Sequence, residues 1–376
     1  MIKKYSFLDL EAVNRPFMPE LRAAIDRVAL SGRYIGGSEV ESFEQELAAM
    51  TGTECAVGTS NGLDALRMIF RALIELGRLK HGDEVLVQAN TYIASFLAVS
   101  DTGLKPVPVD IDPLTSNIDA SAALAALTSR TRAILPVHLY GRVCWNEDLH
   151  RLAIDRNLIV VEDNAQAIGA YSRTPGLNGG HTTGALGHAA AFSFYPTKNI
   201  GALGDAGAVT TDDTELAAAI RALANYGSDR RYHNIYQGFN CRIDPMQAAV
   251  LRVKLPHTAE VNARRQAVAD MYSAYISNPA ITLPMPSRGG DCVWHQYVVL
   301  TAERDRFREY LAEHGVPTDV NYPVPPHHQP CYSAEMAAVS APVAEQQART
   351  LVCLPVGSVS PAEAREISAI INDYRP

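Results

Sequence analysis

Leu158-Ile159-Val160-Val161-Glu162-Asp163-Asn164-Ala165-Gln166-Ala167 is an apolar run of strand length that ends in two acids. Such a run, bounded by polar residues, reads as a buried strand that carries a carboxylate at its end. Segments of the same character flank it: Glu84–Ala89, Lys105–Asp110 and Arg132–Leu139 before, Ala189–Tyr195 and Gly207–Thr211 after. Between several of them the periodicity is helical. Val40, Phe43, Leu47 and Met50 share one helical face, with Ser38 and Glu41 placed as a capping-box start. Leu63, Leu66, Phe70 and Leu73 give a second stripe. Strands alternating with helices predict an α/β domain with a mainly parallel sheet.

From about residue 251 the pattern changes. A long helical stretch, LRVKLPHTAEVNARRQAVADMYSAYI, is interrupted by Pro256. A strand is expected at Val293–Leu300, a helix at Ala302–His314, and a loop at NYPVPPHHQP, residues 321–330. The expected division is a large α/β domain with an N-terminal arm over 1–250 and a smaller α+β domain over 251–376.

The 376 residues are 47% hydrophobic, enough for a sizeable core and for two domains. Thirty-three basic against 41 acidic residues give a net charge of −8, without a basic block. Nucleic acid and acidic membrane surfaces are therefore poor partners. The six cysteines are scattered without a CxxC pair, so neither a zinc ribbon nor a disulfide framework is expected. The start, MIKKYSFLDLEAVNRP, lacks the apolar stretch of a secretory signal, and no window reaches membrane-span length. A cytoplasmic protein is expected.

Three further stretches could carry chemistry. In Phe192-Ser193-Phe194-Tyr195-Pro196-Thr197-Lys198-Asn199-Ile200-Gly201 a lysine leaves a buried strand and enters a glycine-rich turn. Ligands of open α/β sheets gather beyond the carboxyl ends of the strands, and a lysine shielded from water there becomes a nucleophilic amine. Taken alone, Lys198 is more often an ordinary solvated side chain. Asp163 would keep a pyridine nitrogen protonated, or would merely cap a turn. Gly58-Thr59-Ser60-Asn61-Gly62-Leu63-Asp64-Ala65-Leu66 joins a short strand to a helix, whose first amides make a phosphate cradle or a plain N-cap turn. Ser193 could add a hydroxyl to that phosphate. Tyr92, after EVLVQA, could stack on a flat heterocycle or simply pack. Each signal is modest, but a lysine, an acid, a phosphate cradle and an aromatic at one sheet edge is the set that pyridoxal phosphate (PLP) requires.

These motifs, in this order and spacing, resemble the sugar aminotransferases of the DegT/DnrJ/StrS group, which share the aspartate-aminotransferase fold (fold type I). The resemblance runs from Phe7-Leu8-Asp9-Leu10 and SGRYIGG (31–37) through TSNGLDAL, EDNAQAIGA, FSFYPTKNIGALGD, NYGS, GFNCRIDPMQAAVLRVKL, VWHQYVV and NYPVPPHHQP. It implies that Lys198 holds the cofactor covalently and shuttles protons, with Asp163 on the pyridinium nitrogen. Gln166 would contact the phenolic oxygen, and Tyr92 would stack on the ring. Gly62, Leu63 and Ser193 would hold the phosphate, and Asn240 would reach the phosphate of a neighbouring subunit, in a homodimer with shared active sites. Arg231 would bind a donor carboxylate or nucleotide phosphates, or would be a solvated surface arginine, and Tyr34 and His327 would line the sugar pocket.

VWHQYVV and NYPVPPHHQP look most similar to enzymes acting at C3 of dTDP-linked 3-keto-6-deoxyhexoses, with L-glutamate as donor and 2-oxoglutarate as product. Those relatives feed O-antigens (lipopolysaccharide), S-layer glycans or antibiotics. Here His328 stands where they usually carry leucine, and GFN and NCR replace their usual patterns. The alternatives are a 4-keto sugar aminotransferase of the same group or a non-catalytic nucleotide-sugar-binding protein. A Rossmann dehydrogenase is disfavoured, because the glycines near Lys198 do not open a dinucleotide fingerprint. No metal site is expected: His327, His328 and Cys331 lack further ligands at metal-type spacing.

Overall fold

The protein is described by a computed structural model covering residues 4–376; residues 1–3, the beginning of the segment read above for a leader, lie outside the described residues. Seven short strands make the main sheet: β1 (Cys55–Thr59), β2 (Glu84–Gln88), β3 (Lys105–Val109), β4 (Thr131–Leu135), β5 (Ile159–Asp163), β6 (Ala189–Ser193) and β7 (Gly207–Thr211). Their order is β1-β7-β6-β5-β4-β2-β3. All neighbours pair in parallel except at β7, which is antiparallel to both β1 and β6. The carboxyl ends of β1, β5 and β6 therefore share one edge with the start of β7. Pro136, which has no N–H for the ladder, follows the last residue of β4, so that strand stops short of the expected Leu139.

Burial follows the pleat. Val57, Val85, Val87, Ala133, Leu135, Val161, Ala191 and Val209 join the core with the helices Gly62–Glu75, Ile93–Asp101 and Thr214–Ala224. Their chain neighbours Ala56, Leu86, Ile134, Val160, Phe192 and Ala208 point to the other face. There they meet the helices Ser38–Thr51, Glu147–Asp155 and Pro245–Lys254. Such side chains each contribute about 1.5–3 kcal/mol by leaving water. They hold the sheet edge rigid where the functional residues stand.

A second core gathers Val268, Tyr272, Trp294, Tyr297, Phe307, Leu311, Ile367 and Tyr374. It surrounds the antiparallel pair β10 (Tyr297–Leu300) and β11 (Leu351–Leu354), which follow the small hairpin β8 (Ser228–Arg230) and β9 (His233–Asn234). Leu251 and Leu255 still belong to the main sheet's core, so the two cores exchange along the helix Thr258–Tyr275, a little beyond residue 250. Residues of the N-terminal arm bridge to the second core: Tyr5 N–H donates to Gly315 O (3.0 Å) and Asp9 N–H to Ser358 Oγ (3.1 Å).

Two local expectations are corrected. The helix expected to start with a Ser38 capping box has Gly37 as its N-cap (φ 86°), with Ser38 already inside and no side-chain cap bond. The strand expected from Val293 begins only at Tyr297. Val293 and Gln296 instead donate to Gly141 O and Tyr140 O, and Trp294 adopts a positive φ of 49°.

Candidate active site

A cleft of about 700 Å³ opens at the carboxyl edge of the sheet. Gly62, Leu63, Tyr92, Asp163, Gln166, Ser193 and Lys198 all line it. Seven residues from four separate stretches thus meet because the strands that carry them end side by side.

The cradle is built first. Asn61 caps the helix Gly62–Glu75: its side chain accepts from Asp64 N–H (2.8 Å) and its carbonyl from Ala65 N–H (3.0 Å). The first amides of a helix have no carbonyl of the preceding turn to meet, so those of Gly62 and Leu63 are free to point at an anion. A Cβ on Gly62 would lie 2.7 Å from Ser193 Cβ, and one on Gly207 would lie 2.3 Å from the carbonyl of Asn61. Only glycines let the β1 turn, the end of β6 and the start of β7 converge this closely. The result suits a phosphate group, with Ser193 Oγ beside it.

Asp163 stands at the end of β5, only 6% exposed. One carboxylate oxygen accepts from Ser95 Oγ (2.8 Å), which in turn meets Thr91 Oγ1 (2.9 Å). The other accepts from Ala165 N–H (3.2 Å). Glu162, its chain neighbour, turns to the opposite face and is consumed there by Gly184, Leu186 and Gly187 amides and by His138 Nε2. Of the two acids in the decisive stretch, only Asp163 has a cleft before it.

Lys198 occupies the turn after β6, closed by Ala202 N–H on Phe194 O and Phe194 N–H on Ala206 O (both 2.8 Å). Removal from water pulls its amine down from 10.5 to about 8, against the opposing pull of the Asp163 carboxylate. The amine is thereby available as a base near neutral pH. Asn199 ties the turn to the second core through Asn262 Oδ1 (2.8 Å) and Val293 O (2.9 Å).

Tyr92 is 53% exposed at the rim, its ring 5.1 Å from that of Tyr322. Gln166 is oriented at both ends: its Oε1 accepts from Tyr140 N–H (2.6 Å) and its Nε2 donates to Tyr322 Oη (3.2 Å). Burial, and then the Asp163 charge, hold the Tyr322 hydroxyl above its ordinary range, so it stays protonated.

The chain does not bring Tyr34, Arg231, Asn240 or His327 to its own cleft. Tyr34 is 58% exposed and donates to Ala29 O (3.0 Å), and Arg231 and Asn240 are also exposed. His327 is buried beside Glu345. The cleft contains instead residues that sequence reasoning passed over: Arg265, His295 and Tyr322, with Ser95 behind Asp163. Arg265 had a signal. Its helix buries Thr258, Arg265, Val268, Ala269 and Tyr272, so a guanidinium sits on an apolar stripe. Its Nη1 donates to the carbonyls of Trp294 (3.1 Å) and His295 (3.0 Å), while its buried Nε has no partner. Among the described residues no carboxylate pairs with it, and burial draws it down to about 10. His295 lies under the charges of both Lys198 and Arg265, which together with burial keep the imidazole neutral.

These residues fit PLP: an anion cradle, an acid for the ring nitrogen, an aromatic at the rim and an amine of depressed basicity. Comparison with known proteins agrees. The DegT/DnrJ/EryC1/StrS aminotransferase family matches residues 18–372. The dTDP-3-amino-3,6-dideoxy-alpha-D-galactopyranose transaminase of Aneurinibacillus thermoaerophilus is 45% identical over 98% of this chain and 99% of its own. The dTDP-3-amino-3,4,6-trideoxy-alpha-D-glucose transaminase of Streptomyces venezuelae is 46% identical over 93% and 90%. The crystal structure of S. venezuelae DesV in complex with a ketimine intermediate superposes with a TM-score of 0.92, at 44% identity over 98% of both chains.

Proposed function

The chain belongs to the DegT/DnrJ/EryC1/StrS aminotransferase family, and from that premise we propose that it transfers an amino group from L-glutamate to C3 of a dTDP-linked 3-keto-6-deoxyhexose. It is a PLP-dependent aminotransferase of nucleotide sugars. The observation that carries the proposal is the depressed amine of Lys198 in the same cleft as the Asp163 carboxylate.

PLP supplies an electron sink for the carbanion left when a proton departs from the carbon bearing nitrogen. The chain's own residues do the rest. Gly62 and Leu63 amides and Ser193 Oγ would hold the phosphate at the positive end of the helix. Asp163, fixed by Ser95 and Ala165, sets its negative charge against the ring nitrogen. Tyr92 would cover the ring face, and Gln166, its amide already fixed, would donate to the phenolic oxygen. Lys198 Nζ would anchor the cofactor and, as a free amine, would hold the proton that leaves the donor's α-carbon and return it. On the keto sugar the same amine would deliver a proton to C3, the carbon that gains nitrogen.

Arg265 would bind a carboxylate of glutamate. A buried cation without an acid partner is costly, and a planar guanidinium matches a carboxylate. Arg231, the earlier candidate for that role, is exposed and outside the cleft of its own chain. Together with Tyr34 and Asn240 it is assigned to the cleft of a second copy, in a homodimer. The six cysteines are unpaired and no described helix is long and apolar enough to cross a membrane, in keeping with a cytoplasmic enzyme supplying amino sugars for surface glycans such as O-antigens.

A panel of 3-keto and 4-keto dTDP- and UDP-sugars, assayed with glutamate and followed by product NMR, tests the reading. Nitrogen at C3 of a dTDP-hexose is expected. Nitrogen at C4 would move the chain to the 4-keto enzymes, and turnover with no keto sugar would remove the proposal.

A further inference from the structure

The loop that brings Tyr322 into the cleft continues to a tight turn, Pro326–His328, where His327 and His328 stand against Glu345 on the helix Pro342–Thr350. Both imidazoles approach the same carboxylate oxygen. His327 Nε2 lies 3.4 Å from Glu345 Oε1 and His328 Nε2 3.7 Å from it. Hydrogen bonds of this kind run at about 2.7–3.2 Å, so neither contact is a good one. Ligand atoms on a tetrahedral cation, bonded at about 2.0–2.1 Å, stand about 3.4 Å apart.

The electron count points the same way. Glu345 Oε1 already accepts from Ala341 N–H (2.9 Å). His327 is buried. A neutral imidazole carries one N–H. Placed on Nε2, the proton makes only the stretched contact and leaves Nδ1 as a buried acceptor without a donor. Placed on Nδ1, it is itself buried without a partner, and the Nε2 lone pair faces a carboxylate oxygen with nothing between them. Either tautomer leaves a deficit, and a cation between the three ligands removes the electrostatic part of it.

We propose that His327, His328 and Glu345 bind a zinc ion that clamps the loop 321–330 to the helix Pro342–Thr350, with water completing the coordination. Two imidazoles and one carboxylate suit zinc better than magnesium or calcium, which prefer all-oxygen sets. His328, 47% exposed in its side chain, gives an entry path and the freedom to close the remaining separation, since all three ligand atoms already lie within 4.8 Å of one another. Cys331, weighed above with the two histidines, is exposed and stands outside the group; the third ligand comes from a helix well downstream in the chain. The clamp is separate from the chemistry, but it braces the loop whose Tyr322 forms a wall of the cleft.

The test uses the untagged, cofactor-loaded enzyme, stripped of metal and dialysed against buffered zinc. One equivalent per chain is expected, and cobalt in its place should give the visible bands of a four-coordinate site. His328→Leu, at a half-exposed position away from the cleft, should stay folded, as judged by its cofactor absorbance and thermal unfolding. It should lose about 10²-fold in zinc affinity, and Glu345→Gln should lose at least as much. Wild-type protein that takes up no zinc, or zinc binding unchanged in both variants, would overturn the assignment.

Discussion

Lys198 and Lys254 are both drawn from 10.5 to about 8 by burial, one in the turn after β6 and the other at the end of the helix Pro245–Lys254. Their surroundings differ. Lys254 donates at 2.6 Å to the carbonyl of Gly201, in the same turn that carries Lys198, and does not line the cleft. Lys198 faces a cavity with Asp163 across it and is not held by any carbonyl in this way. A depressed amine is thus no mark of a nucleophile in itself. One lysine is spent on holding the turn, and the other faces the cleft.

That contrast can be broken by substitution. Lys198→Ala should lower kcat by roughly 10⁴-fold or more, since covalent anchoring and proton transfer go together. Lys254→Met should leave kcat within a few-fold. Steady-state assays of the two purified variants, each checked for fold, would break the contrast if their effects came out alike.

Asp163→Asn should cost roughly 10²-fold in kcat through loss of the charge facing the ring nitrogen. It should also sharpen the view of Lys198. Covalent uptake of PLP by the stripped wild-type chain, followed by absorbance, should rise with pH and level off above about 8. Because the Asp163 charge raises the amine's basicity, the variant's midpoint should fall below the wild type's. A midpoint that stays put or rises would separate the two residues.

Arg265→Met should raise KM for glutamate by about 10-fold to 10²-fold, the worth of a charge-assisted pair, with little change in KM for the sugar. Equal changes in both would make Arg265 a support for the Trp294–His295 backbone. The smallest effect concerns Lys254 and stability. An amine whose folded pKa lies below its unfolded value binds fewer protons in the native state between about 8 and 10.5, so its burial cost is full below that window and fades as pH rises through it. Wild-type stability relative to Lys254→Met should therefore climb across the window in denaturant titrations. A flat difference would mean that Lys254 keeps its ordinary basicity in the folded protein.

Much of this was legible in the chain where the signal is local. The run ending at Asp163, the turn holding Lys198 and the helix start at Gly62 each declare themselves within ten residues or so, and the sheet merely brings their ends together. Ser95 and Glu345 were not legible, and Arg265 only as a charge on an apolar stripe, because their significance comes from neighbours far away in sequence. Ser95 is one hydroxyl on a helix until Asp163 meets it, 68 positions later. Ser38 misled for a different reason: the two glycines before it take positive φ and move the helix start one residue back. Tyr34, Arg231 and Asn240 are exposed and do not line their own chain's cleft, and nothing in their local sequence announces that.

The most direct test is to reduce the yellow enzyme with borohydride, digest it and map the modified lysine by mass spectrometry. The account predicts the cofactor on the peptide that contains Lys198 and nowhere else. Label on Lys254, or on no lysine at all, would contradict it.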